Sequence, residues 1–298
     1  KMYISSYNDS RVYEYDLSTP WLLSTASYSG NSGSIPTSFR PNNLAIKSDG
    51  TTALIGSSFS DSLHQFTMST PWDITTLTYD NVFFGVSGTI DAISDLVVKP
   101  DGTRIFTSQS LALDFVFEIN LDTAWDITTA SYEPGSLDVS GQDTTPLGMY
   151  FKPDGTKFYL MGGANDRVYE YQMNTPWQVS SSFYTGSSFD VSGQTIGAAG
   201  IYFKPDGLAI YAQSGTEVVY QYTLGTAWDL SSASFSKSIS LVGSNAEGFV
   251  FSPNGDRFYI LDSGLDELHQ YDLSTPWEID TATATPSGIL DAAAVVST

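Results

Sequence analysis

Six tryptophans in one recurring phrase, four strand-like runs within each recurrence and two chain ends that complete a shared unit together predict an all-β chain. The expected fold is a six-bladed β-propeller of four-stranded antiparallel blades, closed by pairing N-terminal strands with a C-terminal strand in one blade. Trp21, Trp72, Trp125, Trp177, Trp228 and Trp277 lie 49 to 53 residues apart, each directly after Thr-Pro or Thr-Ala. A period of that length with strand patterning inside it marks one supersecondary unit written six times. Residues 1–298 are therefore read as a single domain of six repeats of about 50 residues.

Each repeat begins with a strand such as Gly200-Ile201-Tyr202-Phe203, which runs into the turn Lys204-Pro205-Asp206-Gly207. Proline presets φ there, aspartate caps its own backbone and glycine accepts positive φ. The turn recurs at Ser48-Asp49-Gly50, Pro100-Asp101-Gly102, Pro153-Asp154-Gly155 and Pro253-Asn254-Gly255. A second, apolar strand follows, for instance Phe158-Tyr159-Leu160-Met161, then a Gly/Asn/Asp loop and a third strand, Val168 to Met173, with period-two alternation.

Seven residues before every tryptophan this third strand carries Glu or Gln: Glu14, Gln65, Glu118, Glu170, Gln221 and Gln270. Recurrence in every copy points to a buried polar ladder or a hydrogen bond between blades rather than to catalysis. The tryptophan phrase connects the third strand to a fourth, such as Ser182-Phe183-Tyr184-Thr185. Pro holds the residue before it extended, Thr and Ser can bond the turn backbone, and the indole is a large apolar plate able to cover a seam between neighbouring units. An aromatic platform for sugar is the alternative use of the same plates.

Closure is readable at the ends. Lys1-Met2-Tyr3-Ile4 stands 20 residues before Trp21, as Lys157-Phe158-Tyr159-Leu160 stands 20 before Trp177, and Ala292-Ala293-Ala294-Val295-Val296 matches the strand that should precede them. Pairing the two ends in one blade removes exposed sheet edges.

The run Phe151-Lys152-Pro153-Asp154-Gly155-Thr156-Lys157-Phe158-Tyr159, followed by a Gly/Asn-rich turn and Val168-Tyr169-Glu170-Tyr171, resembles the YVTN and NHL families of propeller repeats. The resemblance covers essentially the whole chain and implies the propeller fold. Those families include surface-layer proteins, lactonase-like enzymes and interaction scaffolds, and the Thr-Pro-Trp phrase is not a usual part of their pattern.

Acidic residues outnumber basic ones 33 to 12, giving a net charge of −21. Nucleic acid and anionic membranes need a basic footprint, so neither is an expected partner. The longest apolar stretches are a few residues, which gives no membrane-inserting segment. Without cysteine the chain has neither disulfides nor thiolate chemistry. High acidity with few lysines suits an exported protein, and the start in mid-repeat suggests a monomeric domain of a longer chain.

Chemistry is sought where the copies disagree. His64 and His269 share one repeat position, occupied elsewhere by Tyr13, Phe117, Tyr169 and Tyr220, so both read as substitutes for tyrosine. Of the five arginines only Arg40 is irregular, in the long connection Ser29 to Pro41. At the mouth of the central channel, where first strands begin, the copies read Asn42-Asn43, Ser94-Asp95, Leu147-Gly148, Ala199-Gly200, Glu247-Gly248 and Ala292-Ala293.

Asn42, Asn43, Asp95, Glu247 and Asp291, with Asp91, form the candidate ligand site. Asn43, Asp95 and Glu247 are its candidate calcium ligands, since a hard cation takes several carboxylate and amide oxygens. The resemblance to six-bladed lactonase-like propellers implies a similar Glu/Asn/Asn/Asp set; ordered water around a merely polar channel is the alternative. A second acidic set, Asp9, Asp61, Asp166, Asp262, Asp266 and Glu267, falls in the loops that open on the same face.

Three functions are carried forward. The leading one is a non-catalytic, extracellular or particle-surface propeller that binds a protein or glycan partner, with a structural calcium. The others are a calcium-dependent lactonase-like hydrolase working at the channel mouth, and a structural spacer in a larger surface or virion protein.

Overall fold

Six antiparallel sheets follow one another along the chain in a computed structural model. It describes residues 1–6, 8–32, 35–36, 40–57, 60, 62–85, 93–132 without 110–113, 136–194, 197–214, 218–243 and 245–291, with the backbone alone at 94, 109, 198, 199 and 247. Blade 1 holds Met2–Ser6, Arg11–Leu17 and Ala26–Asn31. Blade 4 shows the full pattern, Pro146–Phe151, Lys157–Gly162, Arg167–Met173 and Ser182–Asp190, each strand bonded to the next. Blades 2, 3, 5 and 6 repeat it over 41–85, 93–138, 198–240 and 246–291, blade 3 with its outer strand in two pieces, Ala130–Tyr132 and Leu137–Asp138. First strands of successive blades from 2 to 6 lie side by side around the axis. The fourth strand expected in blade 1, from Ala292 to Val296, lies outside the described residues.

Apolar residues on both faces of the middle strands fill the seams. Phe106 and Val116 of blade 3 pack with Met149, Phe151, Phe158 and Leu160 of blade 4. Burial of each such side chain contributes about 2–3 kcal/mol.

One polar bond crosses every seam. The third-strand Glu or Gln accepts a backbone N–H from a single 3₁₀ turn that follows the tryptophan of the next blade. Glu14 accepts from Ile74 at 2.7 Å, Gln65 from Ile127 at 2.9 Å, Glu118 from Ser180 at 3.2 Å, Glu170 from Leu230 at 3.0 Å and Gln221 from Ile279 at 3.2 Å. Gln270 of blade 6 accepts from Leu23 of blade 1 at 2.7 Å. The ring is thus closed by the same bond that joins its other blades, independently of residues 292–296.

All three glutamates in this ladder are buried and face a cation at the start of their own second strand: Lys1 beside Glu14, Arg104 beside Glu118, and Lys157 beside Glu170 at 2.8 Å. Where the ladder residue is Gln65 or Gln221, the position is Thr52 or Ala209. Beside Gln270 it is Arg257, which turns to Asp272 at 2.8 Å. A buried carboxylate needs a countercharge and an amide does not, so every glutamate of the ladder has a cation beside it while the glutamines do without a bond to one.

The tryptophans have a backbone role that their side chains do not advertise: all six sit at φ between 59° and 68°. From Trp72 onward each tryptophan N–H bonds the carbonyl of the turn glycine in its own blade, as Trp177 does to Gly155 at 2.9 Å. The indole then lies flat over that glycine, and a Cβ on Gly50, Gly102, Gly155, Gly207 or Gly255 would overlap it. The rings of Trp21, Trp177, Trp228 and Trp277 also reach the preceding blade: Trp228 stacks on Phe203 of its own blade at 5.4 Å and on Tyr159 of blade 4 at 6.3 Å. Its carbonyl accepts the Tyr159 hydroxyl at 2.7 Å, a latch repeated by Tyr3 on Trp72, Tyr211 on Trp277 and Tyr259 on Trp21. The tryptophans cover seams, as the sequence suggested.

Two stability predictions follow from this packing. Glu170→Ala leaves the Leu230 N–H unmatched and Lys157, still bonded to the Trp228 carbonyl, without its countercharge, and should cost about 3–5 kcal/mol in chemical denaturation, whereas Glu170→Gln with Lys157→Thr, the pairing of blade 2, should cost about 1 kcal/mol or less. Gly155→Ala should destabilise by at least about 2 kcal/mol, because the new methyl meets both the positive φ of 69° and the Trp177 ring.

Candidate functional site

The paired residues at the start of each first strand are β-bulges. Register jumps from Pro41 to Asn43, from Ile93 to Asp95, from Pro146 to Met149, from Ala198 to Gly200 and from Ala246 to Gly248. An extra residue therefore sits at the same height in all five described first strands, among them Asn42, Ser94, Ala199 and Glu247. Bulges re-aim side chains, and here the residue after the bulge turns toward the next blade.

What those side chains do is hold backbone. Asn42 and Asn43 both donate their amide N–H groups to the carbonyl of Ile93 in blade 3, at 3.2 and 3.4 Å. Asp95 accepts the Met149 N–H of blade 4 through Oδ2 at 2.7 Å and its neighbour Leu96 N–H through Oδ1 at 2.8 Å. Burial pushes the Asp95 carboxyl above the ordinary carboxylate range, against the pull of the two backbone donors. Beside it Ser108 donates to the carbonyl of Leu147 at 2.9 Å. The axial polar side chains of blades 2 and 3 thus tie each of these blades to the backbone of the next.

Of the calcium set, Asn43 gives its amide N–H to a carbonyl, which leaves its Oδ1 outside that bond, and each Asp95 oxygen accepts one backbone N–H. Glu247 stands at its bulge, with only its backbone described. Among the described residues no group of three or more His, Cys, Asp or Glu side chains is placed to hold a metal ion.

Asp291 requires a correction. It lies on Gly288–Asp291, the outer strand of blade 6, opposite Glu267, and is exposed at the rim rather than at the channel mouth. Asp91 and Asp61 lie outside the described residues.

The loop carboxylates mostly cap backbone. Asp166 accepts the Gly197 N–H at 2.8 Å, and Asp262 accepts from Asn245, Gly264 and Leu265 at 2.9 to 3.2 Å. Asp9 bonds the Tyr13 hydroxyl. Asp143, not singled out in the sequence, is buried and accepts from Thr145, Ala164 and Asn165 at 2.8 to 3.1 Å. Its one legible signal is Gly162, where a Cβ would overlap the Asp143 carboxylate.

Both histidines are core residues, as their repeat position suggested. His64 is buried against Tyr79 and Phe83, with the Ser62 hydroxyl at 2.8 Å from Nε2, and His269 holds Glu267 at 2.6 Å. Of the long connection carrying Arg40, Ser32 and Ile35 are tied by their N–H groups to Val12 and Ser10 of blade 1, both at 2.9 Å.

The architecture is that of a six-bladed β-propeller similar to lactonase-type propellers. A candidate 6-phosphogluconolactonase from Bacteroides uniformis superposes with a TM-score of 0.65 at 14% identity, covering 97% of this chain and 83% of the other. The periplasmic gluconolactonase of Pseudomonas aeruginosa gives 0.64 at 15% identity, over 94% and 79% of the two chains. Sqt1 of Chaetomium thermophilum, which is not described as a lactonase, gives 0.55 at 14% identity over 94% and 68%. No protein-family model and no curated protein sequence matches the chain. At these identities the likeness is one of fold alone.

A pH effect follows from His64. Burial pushes its pKa from 6.5 down to about 4, so the folded state resists its protonation. A depressed folded value means that the stability it confers is full above about 6.5 and is lost as pH falls from there through about 4. His64→Tyr, the residue of blades 1, 4 and 5, should flatten the melting temperature across that window, while wild type should fall more steeply.

Proposed function

We propose that this chain is a non-catalytic binding propeller, displayed outside the cell or on a particle surface, whose ligand face is the one where the first-strand bulges open. The observation that carries the reading is the use made of Asn42, Asn43 and Asp95. These three axial residues, which break the repeat, are bound to the backbone of neighbouring blades as scaffold residues would be. Recognition needs a shaped, pre-formed surface, and a closed ring with every seam bonded provides one. The acidic, lysine-poor composition agrees with an exported setting. The partner is a glycan or a protein.

The fold likeness to candidate and named lactonases supports a second reading, a hydrolase acting at the same mouth. A panel of lactones and esters, assayed with and without calcium, separates the two. The binding reading expects no turnover above the uncatalysed rate in either condition. Calcium-dependent turnover that disappears in Asp95→Ala, with the variant still folded by circular dichroism, would overturn it in favour of the hydrolase.

A further inference from the structure

Blade 1 has three described strands where blades 2, 4, 5 and 6 have four, and its second strand, Met2–Ser6, has no first strand on its inner side among the described residues. Every residue of Met2–Ser6 is half-buried, whereas the same strand is buried after its first residue in blades 2 and 4 and throughout in blade 5. The wall that faces this edge from blade 6 is open as well. Leu261 is 36% exposed, while Gly56, Ser108, Met161 and Gln213 at its position in the other blades are buried, and Val250 is 44% exposed. Tyr150 and Tyr202 hold the Val250 position in blades 4 and 5, where each packs on a ring of the next first strand, Phe203 at 5.2 Å and Phe251 at 5.4 Å.

Three backbone groups lack the same partner. In blade 4 the turn after the first strand supplies Lys152, whose N–H bonds the Lys157 carbonyl at 3.0 Å, Gly155, whose carbonyl accepts the Trp177 N–H at 2.9 Å, and Thr156, whose carbonyl accepts the Met173 N–H at 2.9 Å. The corresponding groups of blade 1 are the Lys1 carbonyl and the N–H groups of Trp21 and Leu17, and none of them makes such a bond among the described residues. Trp21 also lacks the glycine and the phenylalanine against which Trp177 lies. Its one ring contact among the described residues is Tyr259 of blade 6, at 6.0 Å, and it is the most exposed of the six tryptophans, at 44%.

These groups define what fills the slot. It is an extended strand that pairs antiparallel with Met2–Ser6, carries a large apolar residue to meet Val250 and the Trp21 ring, and runs into a Lys-Pro-Asp-Gly-Thr turn whose glycine lies under Trp21. The chain's own end is short for this role. A first strand takes six residues in each of blades 2 to 6, and at least five more, 241–245, separate it from the outer strand before it. Seven residues, 292–298, follow Asp291. A second copy is no better supplied, because its first strands are held inside its own blades. The bonds from Gln270 to Leu23 and from Tyr259 to Trp21 hold blades 6 and 1 together outside the slot, which is therefore pre-formed.

We propose that blade 1 accepts a strand of a separate polypeptide, which adds to Met2–Ser6 as the innermost strand of the blade and seats a Phe-Lys-Pro-Asp-Gly-Thr segment between Val250 and Trp21. Backbone pairing supplies the affinity, and the phenylalanine and glycine supply the specificity. The slot lies at the seam of blades 6 and 1, apart from the ligand face proposed above, and stands without it.

The probe is a synthetic peptide with the sequence of blade 4 from Gly148 to Thr156, titrated calorimetrically into the full chain beside a scrambled peptide of the same composition. Wild type, Val250→Asp and Ser5→Pro serve as receptors. Val250 is exposed, and Ser5, in step with Lys1 along the strand, turns its N–H to the open edge, so both variants are expected to fold. The blade 4 peptide should bind wild type and raise its melting temperature, the scrambled peptide should do neither, and each variant should weaken binding by at least about tenfold. Charges placed in the chain's own end, Ala294→Asp with Val296→Asp, should leave the affinity within about twofold.

Absence of binding to wild type overturns the acceptor. Binding that the scrambled peptide matches, or that survives both receptor variants, overturns it too, since the peptide would then sit elsewhere. An affinity at least about tenfold higher in the variant carrying Ala294→Asp and Val296→Asp shows that residues 292–298 hold the slot, and overturns the separate strand. Concentration-dependent dimerisation of wild type in sedimentation, lost in Val250→Asp, gives the slot to a second copy and does the same.

Discussion

The rest of this structure depends on one hydrogen bond made six times: a third-strand glutamate or glutamine accepting the N–H of a 3₁₀ turn in the next blade. A propeller blade buries both faces, and apolar packing between blades is strong but undirected. The ladder bond adds direction, fixing how far each blade rotates and slides against its neighbour. Because the acceptor is buried, its chemistry constrains its surroundings, and every glutamate brings a lysine or arginine at the head of the second strand. The tryptophan phrase serves the same bond from the other side, since the left-handed tryptophan turns the chain into the 3₁₀ segment that presents the donor.

This explains what could and could not be read from residues alone. The tryptophan period, the Pro-Asp-Gly turns and the Glu/Gln position recur because the seam recurs, and a recurring physical demand leaves a recurring letter. The bulges leave none. Asn42, Ser94, Ala199 and Glu247 share a backbone conformation and no side-chain chemistry, so the sequence showed a variable pair without showing why. Asp95 was legible as unusual, but its partner is the backbone N–H of Met149, a non-local group carrying no residue signature. Asp291 was misplaced because a short outer strand ends where an axial strand was expected to begin. The left-handed backbone of the tryptophans was hidden by a residue type with no preference for it.

Function in such a ring is found by subtraction. Once the ladder, the tryptophan latches and the backbone-capping aspartates are assigned to the scaffold, few polar groups remain unexplained. The channel-mouth residues of blades 2 and 3 join the scaffold, since they restore contacts that the bulges remove. Likeness to lactonase-type and other solved propellers places the fold alone, since one fold can host many functions. Blade 5 departs from this pattern: Gly200 stands where Asn43 and Asp95 make their ties, and opposite it the buried Gln213 amide has no hydrogen-bond partner among the described residues.

The central claim is that a single bond type carries every seam, including the one that brings the chain ends together. Amide hydrogen exchange on Leu23 tests it most directly, because that N–H lies in a short turn and owes its protection to Gln270 of the last blade. The account predicts that Leu23 exchanges as slowly as Ile74 and Leu230, and that Gln270→Ala accelerates Leu23 by orders of magnitude before it affects those two. Rapid exchange of Leu23 in the wild-type protein, with Ile74 and Leu230 protected, would contradict it and show the ring open between blades 6 and 1.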